Sequence, residues 1–478
     1  MSIPAETLSA QPSTSDVQRP TTKRPLQLLI LTAGYGEGHN AAARAIAEAC
    51  VAKHGAGSAR VIDIFALSAP RLNAVSRRAY LATINGAPKI WSRLYAWIDR
   101  SNIVPRCMWM LGRERRLLAK IIADESPVAL CSTYPVYAFL IARLAHDGHS
   151  LPPHYNVVTD SISINSLWWR AGAAGWFLPN EDSAAVLRCA GVERDRLHVS
   201  GFPVPAFFGH NAAHLFPPDL TPATCHLIGD MLPDGGRVPP TPAEAPAKAS
   251  PRILYIINSG THHAGETARR LLAESDWEIT IAVGRDEALR QKLTTLAAGR
   301  ARPAHILGWS DQIPHLLMTH HAVISKAGGA TTQEAIAARC PMIVNQVVPG
   351  QEEGNYELLR RHHAGALAET PDAVMTTLRG AFADGGAGWH RWRTALSTLV
   401  RNDAASVIVS QILSATKGAA GAVNSLPHRD PPSATCHLLS DIPASFPATV
   451  EAAPASMGMS TAAHALPRSS VGGASSLA

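Results

Sequence analysis

Three features of the chain predict an α/β protein built from two doubly wound parallel sheets. Short apolar runs alternate with helix-like segments from Leu26 onward, a Pro/Gly-rich stretch at residues 216–251 interrupts them, and the same rhythm then resumes. Alternation of this kind indicates parallel sheets with helices on their faces. With 478 residues and 46% hydrophobic content the chain can fill two cores, because a single core stops growing near ~250–300 residues.

The elements follow in order. Residues 1–25 are polar and Pro/Ser/Thr-rich with no apolar centre, so they read as a disordered leader and not as a secretory signal. The first domain is expected over 26–215, with strands at Leu26–Ala33, Val61–Phe65, Val128–Ser132 and His154–Thr159 and helices such as Asn40–Val51 and Ser183–Ala190. Residues 216–251 are the linker, since their proline and glycine density forbids a packed element. The second domain, 252–415, is expected to carry strands at Ile253–Asn258, Glu278–Gly284, His305–Gly308, Ala322–Ser325 and Met342–Asn345. From 416 to 478 the Ala/Ser/Pro/Gly composition predicts disorder. The word ATCHL occurs at Ala223–Leu227 and again at Ala434–Leu438, and we have no physical account of it.

Seven cysteines without C-x-x-C spacing argue against a zinc site or a disulfide framework, which suits a reducing cytoplasm. The paired histidines, such as His262-His263, are not metal-spaced, so no metal and no cofactor are expected. No apolar run reaches the ~18 residues of a membrane span. The net charge of +6 is mild, yet residues 71–120 hold eleven basic and two acidic side chains, a local net charge of +9. Trp91, Arg93, Trp97, Trp109, Arg113, Arg115 and Arg116 stand in this window. Bases interleaved with amphipathic aromatics suit an anionic membrane surface; a solvated helix face over an aromatic core is the alternative. No nucleic-acid-binding motif accompanies the charge.

Two loops carry the candidate chemistry. The segment Ser325–Asn355, SKAGGATTQEAIAARCPMIVNQVVPGQEEGN, reads as strand end, glycine turn, helix start, strand and polar loop. Backbone N–H groups at such a helix start favour a phosphate. Thr331 and Glu334 also fit a capping box, so a purely structural role for Glu334 stands beside a ligand role. Near the amino terminus, Thr32–Ala43 (TAGYGEGHNAAA) follows the first strand and opens a helix. Its glycines allow close ligand approach. His39 is placed as a general base, a helix cap or a phosphate contact.

The residues Lys326, Gly328, Gly329, Thr331, Glu334, Ala335, Ala337, Pro349, Gly350, Gln351, Glu352 and Asn355 resemble the carboxyl-terminal motif of glycosyltransferase family twenty-eight. The closest resemblance is to its glycolipid branch, the monogalactosyldiacylglycerol synthases and processive diacylglycerol glucosyltransferases. Gly36, Gly38, His39 and Ala42-Ala43 resemble the same branch's amino-terminal loop. Thr159-Asp160 followed by Trp168 or Trp169, and Gly201-Phe202-Pro203-Val204, resemble later motifs.

The resemblance implies a GT-B fold, two Rossmann-like domains facing a cleft. It makes His39 the presumed base, with Asp160 orienting it or meeting acceptor; a plain strand-end turn residue is the other reading of Asp160. Glu334 would hold the ribose of UDP, and Gly328, Gly329, Thr331 and Thr332 would serve its phosphates, with Lys326 assisting. Gln351, Glu352 and Asn355 would meet the donor sugar, and the Gly308 turn the uracil. Ser259 and Gly260 replace a more glycine-rich phosphate loop, which weakens the match there. The activity so implied is inverting transfer of a hexose from UDP-hexose to a lipid acceptor, diacylglycerol above all, at the inner face of the cytoplasmic membrane. A transferase with a polyprenyl or soluble acceptor, a UDP-N-acetylglucosamine 2-epimerase-like enzyme and a non-catalytic lipid-surface protein are the alternatives.

Overall fold

The first sheet consists of six parallel strands in the order β2-β1-β3-β4-β5-β6. They are β1 (Leu28–Leu31), β2 (Ala59–Ile62), β3 (Ala129–Ser132), β4 (His154–Val157), β5 (Gly175–Leu178) and β6 (Leu197–Val199). All four residues of β1 are fully buried, as expected of a central strand covered on both faces. This computed structural model describes residues 25–101, 103–209, 215–217, 219–220, 250–258, 263–350 and 352–418. Nearly all of the predicted leader and tail, most of the linker, both ATCHL words, and Ser259, Gly260 and Gln351 lie outside the described residues.

The second sheet runs β12-β11-β10-β7-β8-β9, again all parallel. Its strands are β7 (Arg252–Ile256), β8 (Glu278–Ala282), β9 (Ala304–Leu307), β10 (Ala322–Lys326), β11 (Met342–Gln346) and β12 (Gly365–Leu367). Counted within the domain, the order is 3-2-1-4-5-6, the doubly wound arrangement in which ligands bind beyond the strand carboxyl ends at the reversal point. The reversals fall between β1 and β3 in the first sheet and between β7 and β10 in the second.

Local chemistry moved several expected boundaries. The apolar run Val61–Phe65 is not one strand: Asp63 accepts a hydrogen bond from Ala66 N at 3.0 Å and starts the helix Ile64–Ser68. The helix expected from Asn40 begins at Glu37, so His39 sits in its first turn. Strands β5, β6 and β12 were not anticipated; three or four residues each, they are too short to show a period.

The expected domain limits also change. The helix Ala404–Gly418 leaves the second domain and packs on the helix Glu37–His54, where Ile408, Val409, Ile412 and Leu413 join Leu28, Ile30, Ile46 and Cys131 in one core. Leu215 and Phe216 pack on the second domain's core, with the Arg393 guanidinium 4.6 Å from the Phe216 ring. Ala42, Ile162, Phe202, Val204 and Phe208 of the first domain share a cluster with Ala335, Ile336, Val344 and Leu358 of the second. The two sheets are thus joined by apolar contact, and every described residue lies in one compact unit, Met1–Ile442. The other unit, Pro443–Ala478, lies outside the described residues.

Candidate active site

The loop after β1 and the helix Glu37–His54 place His39 at the carboxyl edge of the first sheet. Its Nδ1 lies 2.8 Å from Thr159 Oγ1, just past β4, and its backbone carbonyl accepts from Thr133 Oγ1 at 3.0 Å, just past β3. Three strand ends therefore converge on one imidazole. The ring is flanked by Tyr134 at 5.2 Å and Trp168 at 6.3 Å between centroids. Burial pulls its pKa down to about 4, against a smaller opposing effect of the Thr133 backbone, so the ring is neutral at pH 7.

Asp160 does not touch His39 through a hydrogen bond; its Oδ2 accepts from Trp168 Nε1 at 2.7 Å. Burial pushes the Asp160 carboxyl up to about 6, and the Trp168 N–H works against that rise. Of the two tryptophans considered, Trp168 is the fully buried one, and its carbonyl accepts from Asn156 Nδ2 and Trp176 Nε1. The hydrogen-bonded partner of His39 is thus Thr159 and not Asp160. A hydroxyl beside an aspartate at a strand end gives no clue to which of the two faces the helix.

On the opposite side, the helix Gly329–Ala337 starts at the end of β10 with Gly328 as its cap residue. It begins two residues before Thr331, which places Thr331 inside the first turn, and no side chain caps it. The capping-box alternative for Glu334 is thereby overturned. The Glu334 carboxyl instead faces the first domain: burial pushes its pKa up to about 7, with Arg44 lowering it and Glu37 raising it. Gly38 and the helix start are in contact, since a Cβ on Gly38 would stand 3.6 Å from Ala330 N. A Cβ on Gly329 would stand 3.7 Å from the Thr159 carbonyl oxygen. The helix start at Gly329 thus packs against the loop that carries His39 and the strand end that carries its partner Thr159.

Other expected donor ligands are placed differently. Thr332 buries its hydroxyl against Met342 Sδ at 3.7 Å, and its N–H already bonds Gly328 O. Glu352, expected to meet sugar hydroxyls, is buried: Lys326 Nζ binds its Oε1 at 2.6 Å and Val348 N donates to its Oε2 at 3.2 Å. A buried carboxylate needs such partners, and Lys326 is the cation in reach. Asn355 is buried as well and donates from Nδ2 to Ala327 O at 2.9 Å, tying down the glycine turn. Lys326, Glu352 and Asn355 therefore brace the loop that carries Gly328 and Gly329. Gly308 lies against Gly284 O at the end of β9. Among the described residues no group of three or more His, Cys, Asp or Glu is arranged to hold a metal ion.

The basic window folds as helices. Along Pro88–Arg100 the residues Ile90, Arg93, Leu94, Trp97 and Arg100 form an exposed stripe, with Ile90 63% and Trp97 54% exposed. Trp109 is 76% exposed. Trp91 departs from expectation and turns inward, 5.0 Å from Tyr80 and 6.1 Å from Tyr95. Arg115 is also withdrawn from the exposed set by Asp147 at 3.5 Å, while Arg113 and Arg116 are exposed. The inner face of the Pro88–Arg100 helix touches the donor loop: a Cβ on Gly350 would lie 3.4 Å from the Tyr95 ring. No helix among the described residues is long and apolar enough to cross a membrane.

Comparison with known proteins agrees with this geometry. Residues 39–204 match the family model described as monogalactosyldiacylglycerol (MGDG) synthase. A processive diacylglycerol beta-glucosyltransferase of Bacillus thuringiensis (strain Al Hakam) is 23% identical over 391 residues, covering 81% of this chain and 93% of the relative. One of Bacillus cereus (strain AH187) is 22% identical over the same length. Among solved structures, a UDP-N-acetylglucosamine 2-epimerase of Neisseria meningitidis bound to UDP-GlcNAc superposes with a TM-score of 0.50 at 12% identity, covering 81% of this chain and all of that one; this likeness concerns the fold. With its motifs, its match over the His39 domain and its pair of facing parallel sheets, the chain is a glycosyltransferase of GT-B fold that is similar to the glycolipid branch of family twenty-eight.

Proposed function

We propose that the chain transfers a hexose from a UDP-sugar to a hydroxyl of a lipid, with diacylglycerol the favoured acceptor, and inverts the anomeric carbon. The observation that carries this is the neutral His39, fixed on Thr159, whose strand end packs against the helix start at Gly329. With Nδ1–H donating to Thr159 Oγ1, Nε2 holds the lone pair that accepts the acceptor's proton. The acceptor oxygen then bonds to the anomeric carbon as the bond from that carbon to the UDP oxygen breaks. The negative charge left on UDP is met by first-turn N–H groups at Gly329 to Thr331. Glu334 accepts from the ribose hydroxyls. No cofactor or metal enters this scheme.

The exposed stripe Ile90, Leu94 and Trp97, with Arg93 and Arg100 beside it, supports peripheral attachment to an anionic bilayer at the cytoplasmic face. A soluble acceptor gives no reason for such a face. The test is incubation with vesicles containing diacylglycerol and, in turn, UDP-glucose, UDP-galactose and UDP-glucuronate, reading UDP release and lipid mass. No hexosyl lipid and no UDP release with any donor would refute the proposal. Conversion of UDP-GlcNAc without acceptor would favour the epimerase-like alternative instead.

A further inference from the structure

Among the described glycines, Gly354 makes the tightest approach to the other domain. It lies buried in the first turn of the helix Glu353–Arg361, which begins where the donor loop ends. A Cβ there would stand 1.8 Å from Ser161 O and 2.5 Å from Ser163 N, both backbone atoms of the first domain. Neither can yield as a side-chain tip would. Between them, Ile162 adopts φ 55° and is buried among Ala335, Ile336 and Leu358 of the second domain. A β-branched residue in the left-handed region is strained by about 1–3 kcal/mol and persists only where its surroundings enforce it. Gln333 Nε2 donates to Ser161 Oγ at 3.1 Å, and Arg361 meets Asp182 at 3.0 Å farther along the same helix.

This docked turn continues directly into the groups that hold the base. Ser161 follows Asp160 and Thr159, and the Thr159 hydroxyl is the partner of His39 Nδ1. We infer that Gly354 and Ile162 are positioning residues: the turn Ser161–Ser163, seated on Gly354, sets Thr159 and through it the orientation of His39. The imidazole of the first domain is thus aimed by a helix of the second, whose amino end is the donor loop. This rests on His39 being the base, as proposed above.

Gly354→Ala pushes the turn away from its seat. A displacement near 1 Å at a reacting group costs on the order of 100-fold in rate, so kcat should fall about 10–100-fold while UDP affinity by calorimetry stays within about threefold. A second readout does not depend on activity. The ring nitrogens of His39, assigned by His39→Gln in labelled protein, should titrate near 4 in the wild type and move toward 6.5 in Gly354→Ala as the packing loosens. Ser161→Ala, which removes the bond from Gln333 without overpacking, should shift both readouts in the same direction by less, and it decides the matter if Gly354→Ala does not fold. An unchanged His39 titration in the folded variants would overturn the inference, whatever happens to UDP binding. A wild type without transferase activity but with the expected His39 shift would leave the positioning intact and refute the proposed reaction alone.

Discussion

Replacing Glu334 by Gln tests the donor half of the cleft through a single proton. Burial pushes the Glu334 carboxyl from 4.5 up to about 7. Two ribose hydroxyls donating to that carboxyl favour its ionised form, so binding lowers the pKa again. If it returns to near 4.5, binding releases about 0.9 proton at pH 6 and about 0.2 at pH 7.5, and affinity rises about tenfold from pH 6 to pH 8. The phosphate of UDP titrates in the same range, so uridine is the cleaner probe. Calorimetry in two buffers of different protonation enthalpy should show buffer-dependent heat for the wild type and none for Glu334→Gln. The variant should also bind about 10–100-fold more weakly at pH 8, the worth of hydrogen bonds to a charged group. Equal affinity at pH 8, or heat independent of buffer in both proteins, would refute the ribose assignment. Stability gives a second check. The folded state keeps a proton that the unfolded chain has lost between pH 4.5 and 7, so this group costs stability progressively as pH rises through that window. The full cost is at most ~3 kcal/mol, and Glu334→Gln should raise the melting temperature at pH 8 without nucleotide but not at pH 4.

His39, with a folded pKa of about 4 against 6.5, is protonated first in the unfolded chain; it adds stability above pH 6.5 that is lost as pH falls toward 4. In the protein without substrates the His39 ring nitrogens should titrate near 4 by NMR, and a midpoint at 6.5 would contradict the buried base, as would near-normal transfer by His39→Gln. Trp168→Phe keeps the ring beside His39 but removes the N–H to Asp160, and transfer should drop about tenfold with UDP binding retained; equal rates would show that Asp160 plays no part. Changing Ile90, Leu94 and Trp97 together to Ser should reduce co-sedimentation with anionic vesicles at least about tenfold, given ~1.5–3 kcal/mol per buried apolar side chain. Binding indifferent to that change, to salt and to anionic lipid would exclude the membrane face.

The strong periodic segments were legible in the sequence because a buried parallel strand is a short continuous apolar run, as at Leu28–Leu31 and Ala322–Ser325. The two strand-to-helix junctions, at Gly36–Gly38 and Gly328–Gly329, were legible because glycines break the apolar run just before a helical pattern. What could not be read is the direction in which a polar side chain turns at such a junction. Glu352 and Asn355 carry the same sequence signal as sugar ligands, yet burial forces them to find partners inside the protein, Lys326 and the Ala327 carbonyl. The inward turn of Trp91 depends on Tyr80, a helix away. The seating of Ile162 on the second domain has no local signature at all, since nothing in Ser161-Ile162-Ser163 announces a left-handed residue.

The low pKa of His39 bears on how the two halves of the cleft act together. An imidazole held near 4 resists taking a proton, which makes it a poor base while the cleft is empty. The same desolvation makes it sensitive to charge, because an anion within ~4–6 Å favours the imidazolium. One helix start in contact with its loop is the one at Gly329, where the diphosphate of a nucleotide sugar is expected and where Gly38 meets Ala330 N. Arrival of the donor would therefore strengthen the base that activates the acceptor, and departure of the donor would weaken it. If His39 is the base, an acceptor hydroxyl meeting it without a donor would find a group that does not take its proton, and burial of the ring would tie proton abstraction to the presence of the donor.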